Sequence, residues 1–216
     1  MAKKIKFNHH YIAIEGPIGV GKSTLTNLLA KRADAVKVME DVENPFLNDF
    51  YNDKPGSAFQ TQIFFLLNRY QQQLELRQRE LFEDLVISDY FFVKDKIFAH
   101  LTLDDAELRI YDMLYDQLKN DVPMPDLVIY LQADTGVLMK RIRQRGRDME
   151  KRINEDYVNE VNRAYNYFFF HYVMTPLLVV DTTRTDFVND EEQLLDLIQH
   201  INRVEKGTTY YKPPAA

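Results

Sequence analysis

"AIEGPIGVGKSTL", residues 13–25, fits the pattern G-x-x-x-x-G-K-[ST] from Gly16 to Ser23 and lies between an apolar run and a helix-like run. That placement decides the fold. A loop of this kind needs a strand before it and a helix after it, so that unpaired amide hydrogens and the positive end of the helix dipole face one anion. Gly16, Gly19 and Gly21 let the backbone turn its amides inward. Lys22 is expected to reach the β and γ phosphates of a nucleotide, and Ser23 to offer its hydroxyl to Mg²⁺. Thr24 is a second hydroxyl at the same place, its part left open by the sequence.

Outward from the loop, short runs rich in β-branched residues recur: "YIAIE" (11–15), "AVKVM" (35–39), "LVIS" (85–88), "LVIYL" (127–131) and "LLVVD" (177–181). Helix-length segments separate them, at 22–32, 58–83, 104–119, 135–145, 154–173 and 190–204. This rhythm predicts a parallel sheet covered on both faces. The tail "KGTTYYKPPAA" (206–216) has no period and is expected to be mobile. The aromatic stretch "AYNYFFFHY" (164–172) is read as core packing or a subunit interface rather than a ligand box.

At 216 residues the chain has room for one substantial domain. A net charge of -6 argues against a general nucleic-acid or anionic-membrane binder, and the absence of cysteine excludes disulfides and thiolate metal sites. No apolar stretch approaches 18 residues and none follows the first lysines, so the expected setting is the cytoplasm, without membrane contact.

After the fourth strand, "KRIRQRGRDME" (140–150) sets Arg141 and Arg145 four apart on one helix face, with Gly146 ending the helix and Arg147 just beyond. Phosphoryl transfer spreads negative charge over equatorial oxygens, and arginines closing over that charge stabilise it. These three arginines are therefore expected to form a catalytic lid. "DKPG" (53–56) has the spacing of a GTPase switch, but no strand precedes it and no N-K-x-D signature occurs, so a polar turn is the simpler reading. ATP is the default donor.

The second strand runs into "VMEDVENPFLNDFY" (38–51), a carboxylate cluster where ligands of open α/β sheets bind, and "AFQTQ" (58–62) follows. With the phosphate loop and the basic lid, these stretches resemble the deoxynucleoside kinases, most closely their bacterial deoxyadenosine and deoxyguanosine kinase branch. The resemblance runs from about Tyr11 to the last helix. It implies a three-layer α/β P-loop kinase fold with a five-stranded parallel sheet, one domain over 1–205 with a lid at about 141–153, Mg²⁺ with ATP as donor, a deoxynucleoside acceptor and a homodimer. By the same resemblance Glu40 is the base for the nucleoside 5′-hydroxyl, Gln60 reads the base edge, and Tyr51 and Glu150 hold the sugar 3′-hydroxyl. Phe59 and Phe91 are taken as walls against the base. A nucleoside monophosphate kinase, such as a thymidylate kinase, or a non-catalytic nucleotide-binding regulator are the alternatives.

One departure from the family stands at the third strand, where Glu-Arg-Ser or Asp-Arg-Ser is usual and this chain reads Ser88, Asp89, Tyr90. Aligning Asp89 with the acid makes it a candidate for Mg²⁺, directly or through water, and for the substrate, and puts Tyr90 at the arginine. A gap-free match to the later "KDKIFA" instead sets Ser88 on the acid and Asp89 on the arginine. Lys94 and the lid arginines are candidates for the missing positive charge.

Overall fold

The structure is a computed structural model that describes residues 5–80, 83–147, 150 and 153–212, with the backbone alone for residues 79 and 80. Strand β1 (Tyr11–Glu15) is wholly buried, and its alternation divides the core. Ile12 and Ile14 pack on one face of the sheet with Leu25 and Leu29 of helix α1 (Lys22–Ala33), while Tyr11 and Ala13 join Tyr165 and Phe169 on the other. A period of two within each strand produces these two apolar layers.

The remaining elements follow in chain order. They are β2 (Val36–Val38), the short α2 (Leu47–Phe50), the long α3 (Ser57–Glu80), β3 (Val86–Ser88), α4 (Lys94–Thr102), α5 (Asp105–Leu118), β4 (Leu127–Gln132), α6 (Thr135–Arg145), α7 (Glu155–Phe170), β5 (Leu177–Asp181), α8 (Glu191–Ile201) and β6 (Thr208–Tyr211). The sheet order is β2-β3-β1-β4-β5-β6, with every pairing parallel. Helix starts carry side-chain caps where the sequence offers them: Asp104 and Glu107 form a capping box on α5, and Asn154 and Asp190 cap α7 and α8.

The sheet has six strands rather than five. The extra one lies in the expected mobile tail, where Thr208–Tyr211 pairs with β5 in the register Leu177↔Thr208 to Val180↔Tyr211. Tyr211 is 3% exposed, and its hydroxyl donates to Asp196 Oδ2 at 2.9 Å. The β-branched and aromatic residues of "TTYY" suit a pleated edge; residues 213–216 of the tail lie outside the described residues. The aromatic stretch of α7 splits by helical period, with Tyr165 and Phe169 buried and Tyr167 and Phe170 72% and 77% exposed. Helix α4, unanticipated from the sequence, follows a buried turn of Tyr90, Phe91, Phe92 and Val93.

Candidate active site

The phosphate loop joins β1 to α1 at the centre of the sheet, and two of its glycines are sterically required. A Cβ on Gly16 would stand 2.4 Å from Leu131 O, and one on Gly19 would meet Ile142 Cγ1 at 2.8 Å and Leu138 O at 2.9 Å. Both residues also have positive φ, which costs other residue types strain. Helix α1 starts with no side-chain cap and no acid in its first turn, so its first amides stay available to an anion. Lys22 Nζ folds back onto Gly16 O at 2.6 Å and stands 3.8 Å from Glu15 Oε1.

Glu15 is fully buried beneath the loop. Its carboxylate accepts from the amides of Gly16 and Phe91 and from the hydroxyl of Tyr165, at 2.8, 2.9 and 3.2 Å. Burial pushes the Lys22 pKa down, Glu15 opposes that shift, and the charge of Lys94 adds to it.

Two cavities meet at this loop. One, of about 630 Å³, runs over Gly21, Lys22, Ser23 and Thr24 to the 182–188 loop beyond β5. The other, of about 290 Å³, is lined by Glu40, Tyr51, Gln62, Arg69, Asp89 and Lys94, with Phe65 and Phe98 among its apolar walls. Gly19, Lys22, Ser23, Arg145 and Arg147 line both, so the loop lysine and two of the three arginines expected to form a lid stand at the junction.

The second cavity is strongly charged. Glu40 Oε1 accepts from Lys94 Nζ and from Arg69 Nη2, each at 2.5 Å, and Arg69 Nη1 also pairs with the buried Asp95. Both of these side-chain hydrogen bonds on Glu40 fall on Oε1. Burial alone would raise the Glu40 pKa, but Lys94, Arg69 and Lys22 hold it well below the usual carboxylate range. Asp89, 4% exposed, accepts from Ser23 Oγ at 2.6 Å and from the Glu40 amide at 2.5 Å.

Of the arginines expected to form a lid, Arg145 holds Glu150 through two bonds, Nε to Oε2 at 3.1 Å and Nη2 to Oε1 at 2.5 Å, and Arg147 Nη1 lies 3.8 Å from Glu150 Oε1. Arg141 instead donates to Val20 O and to Thr182 O and Oγ1, tying the phosphate loop to the 182–188 loop. Residues 148, 149, 151 and 152 of the expected lid lie outside the described residues. Burial and then Glu150 push the Tyr51 phenol up to about 12, so it remains a neutral donor and acceptor.

Three expected contacts need correction. Gln60 is exposed, whereas Gln62, 4% exposed, lines the second cavity. Helix α3 begins at Ser57, and Gln62, Phe65 and Arg69 share its inward face, while a residue two positions away points about 200° around. Phe59 does not line that cavity; Phe65 does. Phe91 is 2% exposed and packs edge-on against Tyr172, its ring in the core because the whole 90–93 turn is buried. Arg69 and Asp95 were not singled out from the sequence at all. The inward face of α3, once phased from its start, was the available signal for Arg69.

Among the described residues no group of three or more acidic or histidine side chains could cage a metal. Ser23 and Asp89 nevertheless form a hydroxyl and carboxylate pair at the phosphate loop. That pair suits Mg²⁺, which keeps several waters and leans on one or two protein oxygens plus phosphates.

The deoxynucleoside kinase family model matches residues 12–205. The chain is 34% identical over 200 residues to the deoxyguanosine kinase of Bacillus subtilis (strain 168), covering 90% of this chain and 97% of that one. It is 32% identical over 208 residues to the deoxyadenosine/deoxycytidine kinase of the same strain, covering 89% and 92%. Among solved structures it resembles the deoxyadenosine kinase from M. mycoides with bound dATP, with a TM-score of 0.75, 29% identity and coverage of 90% and 100%.

Proposed function

The chain belongs to the deoxynucleoside kinase family, and from that premise we propose that it transfers the γ-phosphoryl group of ATP to the 5′-hydroxyl of a purine deoxynucleoside, deoxyadenosine or deoxyguanosine. The observation that carries this reading is the meeting of two cavities at Lys22, Ser23, Arg145 and Arg147, with Glu40 on the far side. The larger cavity suits the donor and the smaller the acceptor. Phosphoryl transfer asks for positioning and charge stabilisation where the two meet.

Glu40 Oε2 is the oxygen available to a substrate hydroxyl, since both neighbouring cations meet Oε1. A carboxylate with so low a pKa is a weak base. Its part is to orient the hydroxyl and receive the proton late, once the new bond to phosphorus has made that proton acidic. Gln62 supplies the amide for the base edge, and Tyr51 with Glu150 meets the sugar. The donor's phosphates rest on the amides around Gly19 and Gly21 and on Lys22, with Thr24 at the cavity wall. Mg²⁺, when bound, would neutralise phosphate oxygens, held by Ser23 and Asp89 directly or through water; the Ser23 to Asp89 contact supports assigning Asp89 to the acid of the third strand.

A neutral acceptor also fits the charge balance better than a monophosphate. Arg69 and Lys94, the cations deep in the smaller cavity, are already matched by Glu40, Asp95 and Glu15. No described helix is long and apolar enough to cross a membrane, and we read the setting as cytoplasmic. Met113 on α5, Phe170 at the end of α7 and Val173 three residues beyond it, 72%, 77% and 89% exposed, support a homodimer.

ADP release measured with a panel of deoxynucleosides and their monophosphates tests this reading. Turnover with deoxyadenosine or deoxyguanosine is expected. Turnover with monophosphates alone would favour a monophosphate kinase, and ATP binding without any turnover a regulator.

A further inference from the structure

Two ammonium groups line the smaller cavity, Lys22 where it meets the larger one and Lys94 further in, and the phosphate loop accounts for one of them. Lys22 belongs to the loop. Lys94 is the first residue of α4, is 3% exposed, and places Nζ 2.5 Å from Glu40 Oε1 and 3.9 Å from Glu15 Oε2. Lys22 lies 3.8 Å from the other oxygen of Glu15. A single buried carboxylate therefore stands between two lysines, and each faces Glu40, Asp89 or both across the smaller cavity.

Withdrawing an ammonium from water is costly, so a buried lysine calls for a reason. Neutralising Glu40 is not sufficient reason, because Arg69 already donates to the same oxygen. Anchoring to Glu15 is not sufficient either, because that carboxylate accepts from two backbone amides and a tyrosine hydroxyl without Lys94. Nor does the third strand provide another cation at this wall: Tyr90 is fully buried, and its phenol is held neutral by burial. Each resting partner of Lys94 thus has other donors that hold it in place.

We propose that Lys94 is a catalytic residue, its ammonium donating a hydrogen bond to a non-bridging oxygen of the γ-phosphoryl group from the acceptor side, opposite Lys22. The proposal rests on the kinase reading above. In the step, the acceptor oxygen forms its bond to the γ phosphorus as the bond from that phosphorus to the β,γ-bridging oxygen breaks. ADP leaves with the electron pair, the hydroxyl proton passes to Glu40, and Lys94 keeps all its protons. Its compact, flexible head can shift from Glu40 Oε1 to the incoming oxygen while Arg69 continues to hold the carboxylate.

The test compares Lys94→Met, Glu40→Gln and the double variant with the full-length wild type, by single-turnover phosphorylation of deoxyadenosine and deoxyguanosine with Mg-ATP, alongside nucleoside affinity and thermal melting. Lys94→Met is expected to lower the transfer rate by roughly 10²- to 10³-fold, the usual effect of removing one charge-stabilising donor, with nucleoside affinity changed only a few-fold. The drop should persist when Lys94→Met is added to Glu40→Gln. A rate within a few-fold of wild type would overturn the proposal, and so would a loss that disappears in the Glu40→Gln background, since Lys94 would then serve only to neutralise Glu40. If Lys94→Met alone does not fold, the double variant decides against Glu40→Gln, because it leaves neither partner of that pair charged. A wild type that phosphorylates nucleosides while Lys94→Met is silent rejects only this proposal; a wild type inactive on both nucleosides rejects the kinase reading with it.

Discussion

Ser23 donates its hydroxyl to Asp89 Oδ2 at 2.6 Å, joining the first turn of α1 to the residue just after β3. The other oxygen of Asp89 takes the Glu40 amide. One carboxylate thus fixes a phosphate-loop hydroxyl and the backbone of Glu40. Asp89→Asn is expected to raise the Mg²⁺ concentration for half-maximal rate. It should also cost the free protein about 1 kcal/mol in urea melts, because an amide offers one acceptor oxygen where two donors converge. An unchanged Mg²⁺ requirement would remove Asp89 from the metal.

Arg145 and Glu150 make a second testable pair. Arg145→Ala should depress turnover by roughly 10³-fold or more, and Arg145→Lys should recover little, because a single ammonium cannot reproduce the planar fork. Glu150→Gln is expected to act on the sugar instead. Wild type should prefer a deoxynucleoside to its 2′,3′-dideoxy counterpart, and in Glu150→Gln that preference should collapse. A preference that survives intact would detach Glu150 from the 3′-hydroxyl.

Gln62→Ala is expected to raise KM for the nucleoside by roughly 5- to 150-fold, the equivalent of about 1 to 3 kcal/mol for an unpaired buried group, with KM for ATP little moved. Gln60→Ala should be silent. The reverse pattern would mean that the inward face of α3 has been wrongly identified.

These two glutamines also mark the boundary of what the sequence discloses. The phosphate loop was legible because its chemistry lies in contiguous spacing, and the Arg141, Arg145 and Gly146 pattern was legible for the same reason. The choice between Gln60 and Gln62 depends on which face of α3 packs inward, and positions two residues apart on a helix lie more than half a revolution around. Glu40, Arg69, Lys94 and Asp95 meet only through tertiary packing of β2, α3 and α4, which no local pattern reports. Strand β6 was missed because four residues beside a disordered-looking end carry too little period to read.

The Glu40 network has a pH signature. Its carboxyl pKa is depressed in the folded chain from an ordinary value near 4.5. A group with a depressed folded pKa contributes stability that is complete above the unfolded pKa and is lost as pH falls through the folded one. Wild-type melting temperature should therefore fall on acidification below about pH 4.5, and Glu40→Gln should show a shallower fall over the same range. Parallel curves would show that the carboxylate is not held by Lys94 and Arg69 in solution.

Strand β6 determines where the sheet stops. Without residues 208–216, the buried inner strand Leu177–Asp181 would become the border, presenting an unpaired row of amides and carbonyls on an apolar segment. The native border is only four residues long, with Thr208 and Tyr210 exposed, which is a poor template for another chain. A chain ending at Gly207 is expected to keep both cavities yet aggregate on concentration, as light scattering would register. Thr208–Tyr211 would then serve as the molecule's protection against amyloid-like growth.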